Sequence, residues 1–295
     1  METTVTNLMQ AAFSGIVTGS VYALIALGYS IIYRTMRMGH FAQGDFYMFG
    51  AFVGCQLFTV WKLPVVVVFA GSMLVTSILM LVVERLTYRN LYAGSSMALL
   101  MATMGMQYII QEIVRNIWGS DNMKASNIFP SKVFQVGSLI VTLQDICILS
   151  ICVILMLALT WFMKNTKTGV AMNAVSMNRK AASLMGVRNN RIIMVTYVLS
   201  ACMAAIAGTM MGPIYSVRYT MGTTFGNKAM TAAVMGGFGS LPGAMLGSVI
   251  LGVVESLSNL YIGTKYRDIV AFVILVIVLF TKPQGLLGKK STTKV

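Results

Sequence analysis

Apolar stretches separated by short polar segments run along the whole 295-residue chain. Crossing the hydrocarbon core of a membrane takes roughly 20 apolar residues as a helix. Apolar segments recur with only Asp45 as a charge inside them, at 11–33, 41–61, 63–83, 91–111, 146–163, 192–212, 229–254 and 269–281. The pattern predicts an all-α polytopic transmembrane helix bundle of about eight spans. We expect it to form one integral-membrane domain over residues 1–295.

The glycine-rich tract 229–254 is too long for one straight helix. The sequence GGFGSLPG at 236–243 interrupts it, and glycine and proline together break a helix. We therefore expect a half-length or broken helix near 227–243, followed by a full one. Broken backbone at membrane depth is tolerated only where it is buried in protein or lines a cavity.

The basic residues are unevenly divided between the loops on the two sides. The segments 34–40, 84–90, 164–191 and the tail from 282 together hold fourteen basic residues and one acid. The other loops hold eight basic residues and five acids. Lysine and arginine favour the cytoplasmic side in short loops. The N-terminus is thus predicted outside the cell and the C-terminus in the cytoplasm.

Composition supports a membrane protein and excludes several other classes. The chain is 57% hydrophobic and 10% charged, whereas soluble domains carry about 25% charged residues. Its net charge of +14 comes from scattered bases that form no stripe with interleaved aromatic residues, so no nucleic-acid partner is expected. The sequence contains no GxxxxGK[ST], HExxH or GxSxG motif and has one histidine. We predict no catalytic residues and no metal site.

Asp45 lies inside an apolar segment and Glu255 at the end of one, and ionisable groups within the membrane are functional candidates by default. Asp45 either contributes to a substrate path or sits near the interface, pairing with Arg34 or Arg37 or capping a helix. For Glu255, an interfacial position hydrogen-bonded to a neighbouring helix is the favoured interpretation. The candidate translocation path comprises a group of polar and small residues near Asp45 and the glycines of the break: Gln43, Gly44, Asp45, Tyr47, Gly236, Gly237 and Gly239.

The segment 164–191 carries six basic residues and no acid, with apolar residues at helical spacing. A basic amphipathic helix on the inner leaflet is one interpretation. Its apolar positions are mostly alanine and glycine rather than the Trp, Phe and Leu that insert into lipid. A helix docked in the groove of a protein partner therefore fits better.

Three blocks of the sequence together resemble a known family. They are GSVYALIALGYSIIYRTMRMGHFAQGDFYMFGAF (19–52), TKTGVAMNAVSMNRKAASLMGV (166–187) and NKAMTAAVMGGFGSLPGAMLGSVILGVVES (227–256). The chain resembles, over essentially its whole length, the LivH-type membrane permeases of ABC importers for branched-chain (hydrophobic) amino acids. Where that family shows an Asn-Phe-Ala-His-Gly run, this chain has His40 to Gly44, so an amide, Gln43, takes the place of the imidazole.

The resemblance implies a coupling segment within 164–191 that docks on an ATP-binding subunit. The residues matching its pattern are Thr168, Gly169, Ala171, Ala174, Ala181, Ala182, Leu184 and Gly186, with Gly169, Ala182 and Gly186 expected at the docking surface. Positions that are often basic in the family are Val170 and Asn173 here.

The resemblance also implies an assembly in the bacterial inner membrane. It would contain this chain, a second, LivM-type permease, two ATP-binding subunits and an extracytoplasmic solute-binding protein. The partner subunits would hydrolyse ATP, and this chain would bind no cofactor while working by alternating access. Alternatives are an ABC permease for urea, short amides or other amino acids, an ion-coupled secondary transporter, and a channel or scaffold.

Overall fold

A computed structural model describes residues 2–92, 94–130, 132–136 and 139–288. Within these residues, six helices are long and apolar enough to cross a membrane. They are α1 (Glu2–Met36), α3 (Val65–Val83) with its continuation to Leu91, α5 (Ser96–Trp118), α6 (Leu143–Asn165), α9 (Asn189–Met211) and α11 (Leu241–Tyr261). The predicted polytopic helical bundle is thus confirmed in outline.

Shorter helices complete the bundle. The apolar ones are α2 (Gln43–Cys55), which continues as a π-helix over Gln56–Val60, α10 (Met221–Gly236) and α12 (Arg267–Thr281). The continuation of α3 consists of a π-helix, Glu84–Tyr88, and the short α4 (Arg89–Leu91). Two helices outside the spans, α7 (Lys167–Met177) and α8 (Arg179–Leu184), follow α6, and a 3₁₀ turn, Thr264–Tyr266, precedes α12.

The predicted break in the glycine-rich tract is confirmed. Helix α10 ends at Gly236 and α11 begins at Leu241, while Gly237 and Gly239 adopt φ angles of 112° and 87°. Glycine reaches these angles without the steric cost of a Cβ. Ser240 caps α11 by accepting a hydrogen bond from the Gly243 amide at 3.3 Å. The broken helix is longer than expected, because α10 begins at Met221 rather than near 227.

The expectation of an all-α fold needs one correction. Strands β1 (Val133–Val136) and β2 (Leu139–Thr142) form an antiparallel hairpin in the polar stretch between α5 and α6. Their β-branched residues favour extended backbone. The side-chain amide of Gln10 bonds both the carbonyl and the amide of Ile140, at 3.0 and 2.9 Å, and so ties the hairpin to the start of α1.

Small residues set the packing of the central helices α1, α2, α9, α10 and α11. A Cβ added to Gly15 of α1 would lie 2.6 Å from the Cα of Val253 in α11, and one added to Gly50 of α2 would lie 2.6 Å from the Cα of Ala205 in α9. Such close approach of backbones is how membrane helices pack without large side chains. Helices α3, α5, α6 and α12 surround this core and expose one face.

The predicted cytoplasmic elements gather at one end of the bundle. The end of α1 contacts the break, where the rings of Tyr33 and Phe238 are 4.1 Å apart, and residues 285–288 bond the last carbonyls of α10. An apolar cluster joins the same end of α1 to α6, α7 and α8. The basic tail residues from 289 onward, used in predicting the orientation, lie outside the described residues.

Candidate translocation site and cytoplasmic segment

Asp45 lies in the first turn of α2 and is buried, but it connects to the peripheral helix α5 and, through it, to α10. Its Oδ1 accepts a hydrogen bond from the Gln111 amide of α5 at 2.8 Å. Gln111 also donates to the Thr223 hydroxyl of α10 at 2.8 Å, and Gln107 donates to the same hydroxyl at 3.1 Å. We call Asp45, Gln107, Gln111 and Thr223 the α5–α10 polar set. Among the described residues, Asp45 pairs with an amide and not with Arg34 or Arg37.

The other predicted path residues of α2 face the protein core. Gln43 is fully buried and donates to the carbonyl of Ser200 in α9 at 3.1 Å. Tyr47 is fully buried, and its hydroxyl has no hydrogen-bond partner in the part of the chain that the structure describes. Gly44 packs against α10, where a Cβ added to it would lie 2.7 Å from the Cα of Gly226. Of the predicted α2 group, Asp45 alone connects to half-exposed residues.

The glycines of the break do not join Asp45 in one site. Gly222 contacts Asp45, and Gly236 lies fourteen residues further along α10, or about 21 Å at 1.5 Å per residue. The break packs instead against the segment after α12. The amides of Leu286 and Leu287 donate to the carbonyls of Met235 and Gly236, each at 2.9 Å. Gly236, Gly237 and Gly239 therefore form a separate packing site at the other end of α10.

Sequence reasoning missed the amides of α5. Gln107 and Gln111 are four residues apart, so they share one face of the helix, and both are half-exposed. Beside them, Thr224 and Asn227 of α10 are exposed. By contrast, every exposed side chain of α3 over 65–83 is apolar, as is every one of α12 over 269–280. The signal was present as two glutamines at helical spacing in an apolar run.

Glu255 is the centre of a buried ion-pair cluster. Its Oε2 accepts a hydrogen bond from the Tyr22 hydroxyl of α1 at 2.8 Å, and its Oε1 pairs with Lys228 and lies 2.8 Å from Arg267 Nε. Lys228 also lies 2.7 Å from Asp268 Oδ1. The expected hydrogen bond to a neighbouring helix is confirmed. The role of Lys228, in the middle of α10, was missed.

His40 lies beside the start of α2 and is buried among aromatic rings. The rings of Tyr88 and Tyr197 approach its imidazole edge-on, with centroids at 5.2 and 5.4 Å. Both ring nitrogens lack a hydrogen-bond partner among the described residues. The imidazole of His40 therefore packs among aromatic side chains in the core.

The predicted coupling segment is a compact projection of two short helices. The Thr166 hydroxyl caps α7 by accepting from the Gly169 amide at 3.0 Å, and the Asn178 side chain caps α8 by accepting from the Lys180 and Ala181 amides. Gly186 ends the projection with a φ angle of 83°, which suits glycine. Met163, Met172, Val175 and Ala182 pack together beneath the projection. The segment therefore has a defined shape in the isolated chain.

The predicted coupling residues divide into buried and exposed groups. Gly169 and Ala182 are buried, because Gly169 lies against α6 and Ala182 against the cluster beneath α7 and α8. These two positions thus pack the segment and present no surface to a partner in this structure. Thr168, Ala171 and Ala174 are half-exposed, and Ala181, Leu184 and Gly186 are exposed. An open pocket of about 340 Å³ is lined in part by Thr168, Ala171 and Gly186.

Comparison with known proteins gives the family. A model described as branched-chain amino acid transport system / permease component matches residues 11–279. The high-affinity branched-chain amino acid transport system permease protein LivH of Salmonella typhimurium is 37% identical, over 97% of each chain. The corresponding permease protein BraD of Pseudomonas aeruginosa is 34% identical, over 98% of each chain.

Among solved structures, a chain of PsaBC from Streptococcus pneumoniae in complex with Fab has a similar fold. The TM-score is 0.53 at 15% identity, and the match covers 92% of this chain and 91% of that one. At this identity the similarity concerns the fold alone. With the family model spanning most of its length and two relatives above 30% identity, the chain belongs to the family of permease components of branched-chain amino acid transport systems.

Proposed function

We propose that this chain is the membrane-spanning permease subunit of an ATP-driven importer of branched-chain or other hydrophobic amino acids in the bacterial inner membrane. The observation that carries the proposal is the match, over almost the whole chain, to permease proteins of branched-chain amino acid transport systems. Its partners would be a second, LivM-type permease, two ATP-binding subunits and an extracytoplasmic solute-binding protein. The binding protein would supply most of the specificity.

The polar face of α5 and α10 is our candidate for the translocation path. Polar side chains within a membrane almost always face the bundle interior or a water-filled cavity rather than lipid. Gln107, Gln111, Thr224 and Asn227 reach the surface of the isolated chain, so this face needs a cover. A second permease placed there would enclose a path between the two subunits, with Asp45 as its deepest acid.

The projection formed by α7 and α8 is our candidate for coupling to an ATP-binding subunit. Met177, Leu184 and Met185 are 84, 87 and 85% exposed. Arg179 and Lys180 lie between them in sequence, so apolar and basic groups share this end of the chain. An exposed apolar patch with a polar rim is typical of a protein interface. ATP hydrolysis would take place in the partner, and this chain would bind no cofactor.

The proposed topology has nine passes when α10 counts as a short one. Its 16 residues give about 24 Å of helix, a little less than the roughly 30 Å hydrocarbon core. An odd number of passes puts the two termini on opposite sides. The excess of basic residues would then put the segment 164–191 and the C-terminus in the cytoplasm, and the N-terminus and the β-hairpin outside. Two contacts support this arrangement: Gln10 with Ile140 at one end, and Leu286 with Met235 at the other.

Co-purification of the natural complex tests the proposal. We expect the tagged chain, gently solubilised from its host, to bring down a second permease and ATP-binding subunits. Leu184→Glu should reduce recovery of the ATP-binding subunits at least tenfold, because it places a charge in the apolar contact. The matched control is Ile262→Glu, which alters a 54% exposed apolar residue at the opposite end of the bundle.

Recovery of the chain alone would contradict the importer proposal and favour an ion-coupled carrier. Equal recovery of ATP-binding subunits with Leu184→Glu would contradict the docking site alone. The ligand bound by the associated binding protein then decides between branched-chain amino acids and the alternatives, which are urea, short amides and other amino acids.

A further inference from the structure

We propose that Lys228, Glu255, Arg267 and Asp268 form a charge clamp that positions the polar face of α10 for transport. This inference rests on the proposed function, since it concerns how the path-facing helix is held. The four residues are positioning residues and do not contact substrate.

The clamp joins three helices through charged contacts. Lys228 of α10 pairs with Glu255 of α11 and lies 2.7 Å from Asp268 at the start of α12. Arg267 lies 2.8 Å from Glu255, and the Tyr22 hydroxyl adds a fourth helix, α1. Two positive and two negative charges balance one another. The Glu255 side chain is fully buried and that of Lys228 is 10% exposed, so these partners have no alternative in solvent.

Near the polar set, α10 packs through the ring of Phe225, which lies 5.4–5.9 Å from those of Tyr22, Tyr47 and Tyr215. At Gly222 and Gly226 the helix approaches α2 backbone to backbone, opposite Gly44. Small residues of this kind allow close packing of the two helix backbones. Lys228 lies directly after Asn227 and four residues after Thr224. Its ion pairs therefore set the rotation of α10 about its own axis and the axial position of its polar face. A buried ion pair contributes little net stability and is better suited to fixing a geometry.

The geometry does not suit the cluster to substrate binding or proton transfer. Both oxygens of Glu255 are occupied, one by Tyr22 and one by the two cations. Proton-driven carriers use chains of acidic groups and histidines across the membrane. Here Asp45 lies in the α5–α10 polar set, bonded to Gln111 rather than to any member of the clamp. The four charged residues pair with one another, and the exposed one, Asp268, lies at the start of α12.

The test compares single and double variants in the complete complex in proteoliposomes. Lys228→Met leaves Glu255 with one cation fewer and is expected to lower both the yield of inserted protein and uptake. The double variant Lys228→Met with Glu255→Gln removes one charge of each sign, so it should recover wild-type yield and assembly. Its maximal uptake rate should nevertheless remain about tenfold below wild type, with the KM for the loaded binding protein unchanged. Lys228→Arg keeps the charge and should retain at least a third of the rate.

Lys265→Met is the matched control, because Lys265 is an exposed lysine close to the clamp in the chain. It should transport like wild type. A double variant that assembles and transports at the wild-type rate would overturn the clamp. It would show that transport needs a balanced charge at this site but not the ion pair itself. A double variant with an unchanged rate but a raised KM would also overturn it and would indicate contact with the binding protein.

A second measurement does not depend on what is transported. Thr224→Cys is introduced with Cys55, Cys147, Cys152 and Cys202 replaced by alanine, and its labelling by a membrane-impermeant thiol reagent is timed. The double variant should change the labelling rate at least threefold, and an unchanged rate would contradict the clamp. If the wild-type complex failed to take up leucine with ATP and binding protein, the proposed function would fail, while this labelling comparison would still decide the clamp.

Discussion

Two buried carboxylates, Glu255 and Asp45, are stabilised by different kinds of partner. Glu255 is surrounded by cations, whereas Asp45 is held by the neutral amide of Gln111. The second arrangement gives the Asp45 carboxyl no basic partner among the described residues. It also leaves Asp45 Oδ2 without a hydrogen-bond partner there. Asp45 is therefore the group whose charge and hydrogen bonding most directly shape the proposed path.

Substitution of Asp45 should separate hydrogen bonding from charge. Asp45→Ala removes one of the two acceptors of the Gln111 amide, and the loss of such a hydrogen bond costs about 0.5–1.5 kcal/mol. We expect a lower thermal midpoint of the purified chain and at least tenfold slower uptake. Asp45→Asn keeps an acceptor oxygen and should keep the midpoint. Glu112→Ala is the control, because its carboxylate is 59% exposed and its one ion pair among the described residues is with Arg115 at the surface. Equal midpoints for Asp45→Ala and Glu112→Ala would show that this hydrogen bond does not hold α2 to α5.

The break between helices α10 and α11 combines positive φ angles with close packing. A Cβ on Gly237 would lie 2.6 Å from the Gly288 amide, whereas Gly263 has a similar φ of 93° and nothing within 4 Å. An alanine at either position pays about 1–2 kcal/mol for the left-handed backbone. Gly237→Ala should cost about 1–3 kcal/mol more through overpacking. The thermal midpoints of the two variants measure the difference, and equal midpoints would show that residues 285–288 do not seal the break.

The helices themselves were largely predictable from the sequence, while the faces they present were not. Apolar runs and the GGFGSLPG signal placed the spans and the break, because these features act locally. Gln107 and Gln111 were missed because uncharged amides do not interrupt an apolar run. Gly169 and Ala182 were expected at a docking surface, but small residues also serve close packing within one chain. Whether such a residue docks on a partner or packs within the chain depends on the neighbouring helix, which the sequence alone does not identify.

At the scale of the whole molecule, we expect the β-hairpin and the projection formed by α7 and α8 to lie on opposite sides of the membrane. Single cysteines at Ile140, on the hairpin, and at Leu184, on the projection formed by α7 and α8, can be labelled with a membrane-impermeant reagent. Both positions are exposed, at 52 and 87%. We expect Ile140→Cys to react in intact cells and Leu184→Cys only in inside-out vesicles that hold this chain without the ATP-binding subunits. The reverse pattern, or labelling of both from one side, would contradict the nine-pass topology.

The proposed role of this chain, a permease driven by ATP hydrolysis in a partner subunit, is tested most directly by uptake into proteoliposomes. The complete complex, with ATP inside the vesicles and the binding protein and labelled L-leucine outside, should accumulate leucine. Accumulation should stop when ATP is omitted or when the Leu184→Glu chain is used. Accumulation that needs no ATP and collapses with an ion gradient, or that is unaffected by loss of the ATP-binding subunits, would contradict this role.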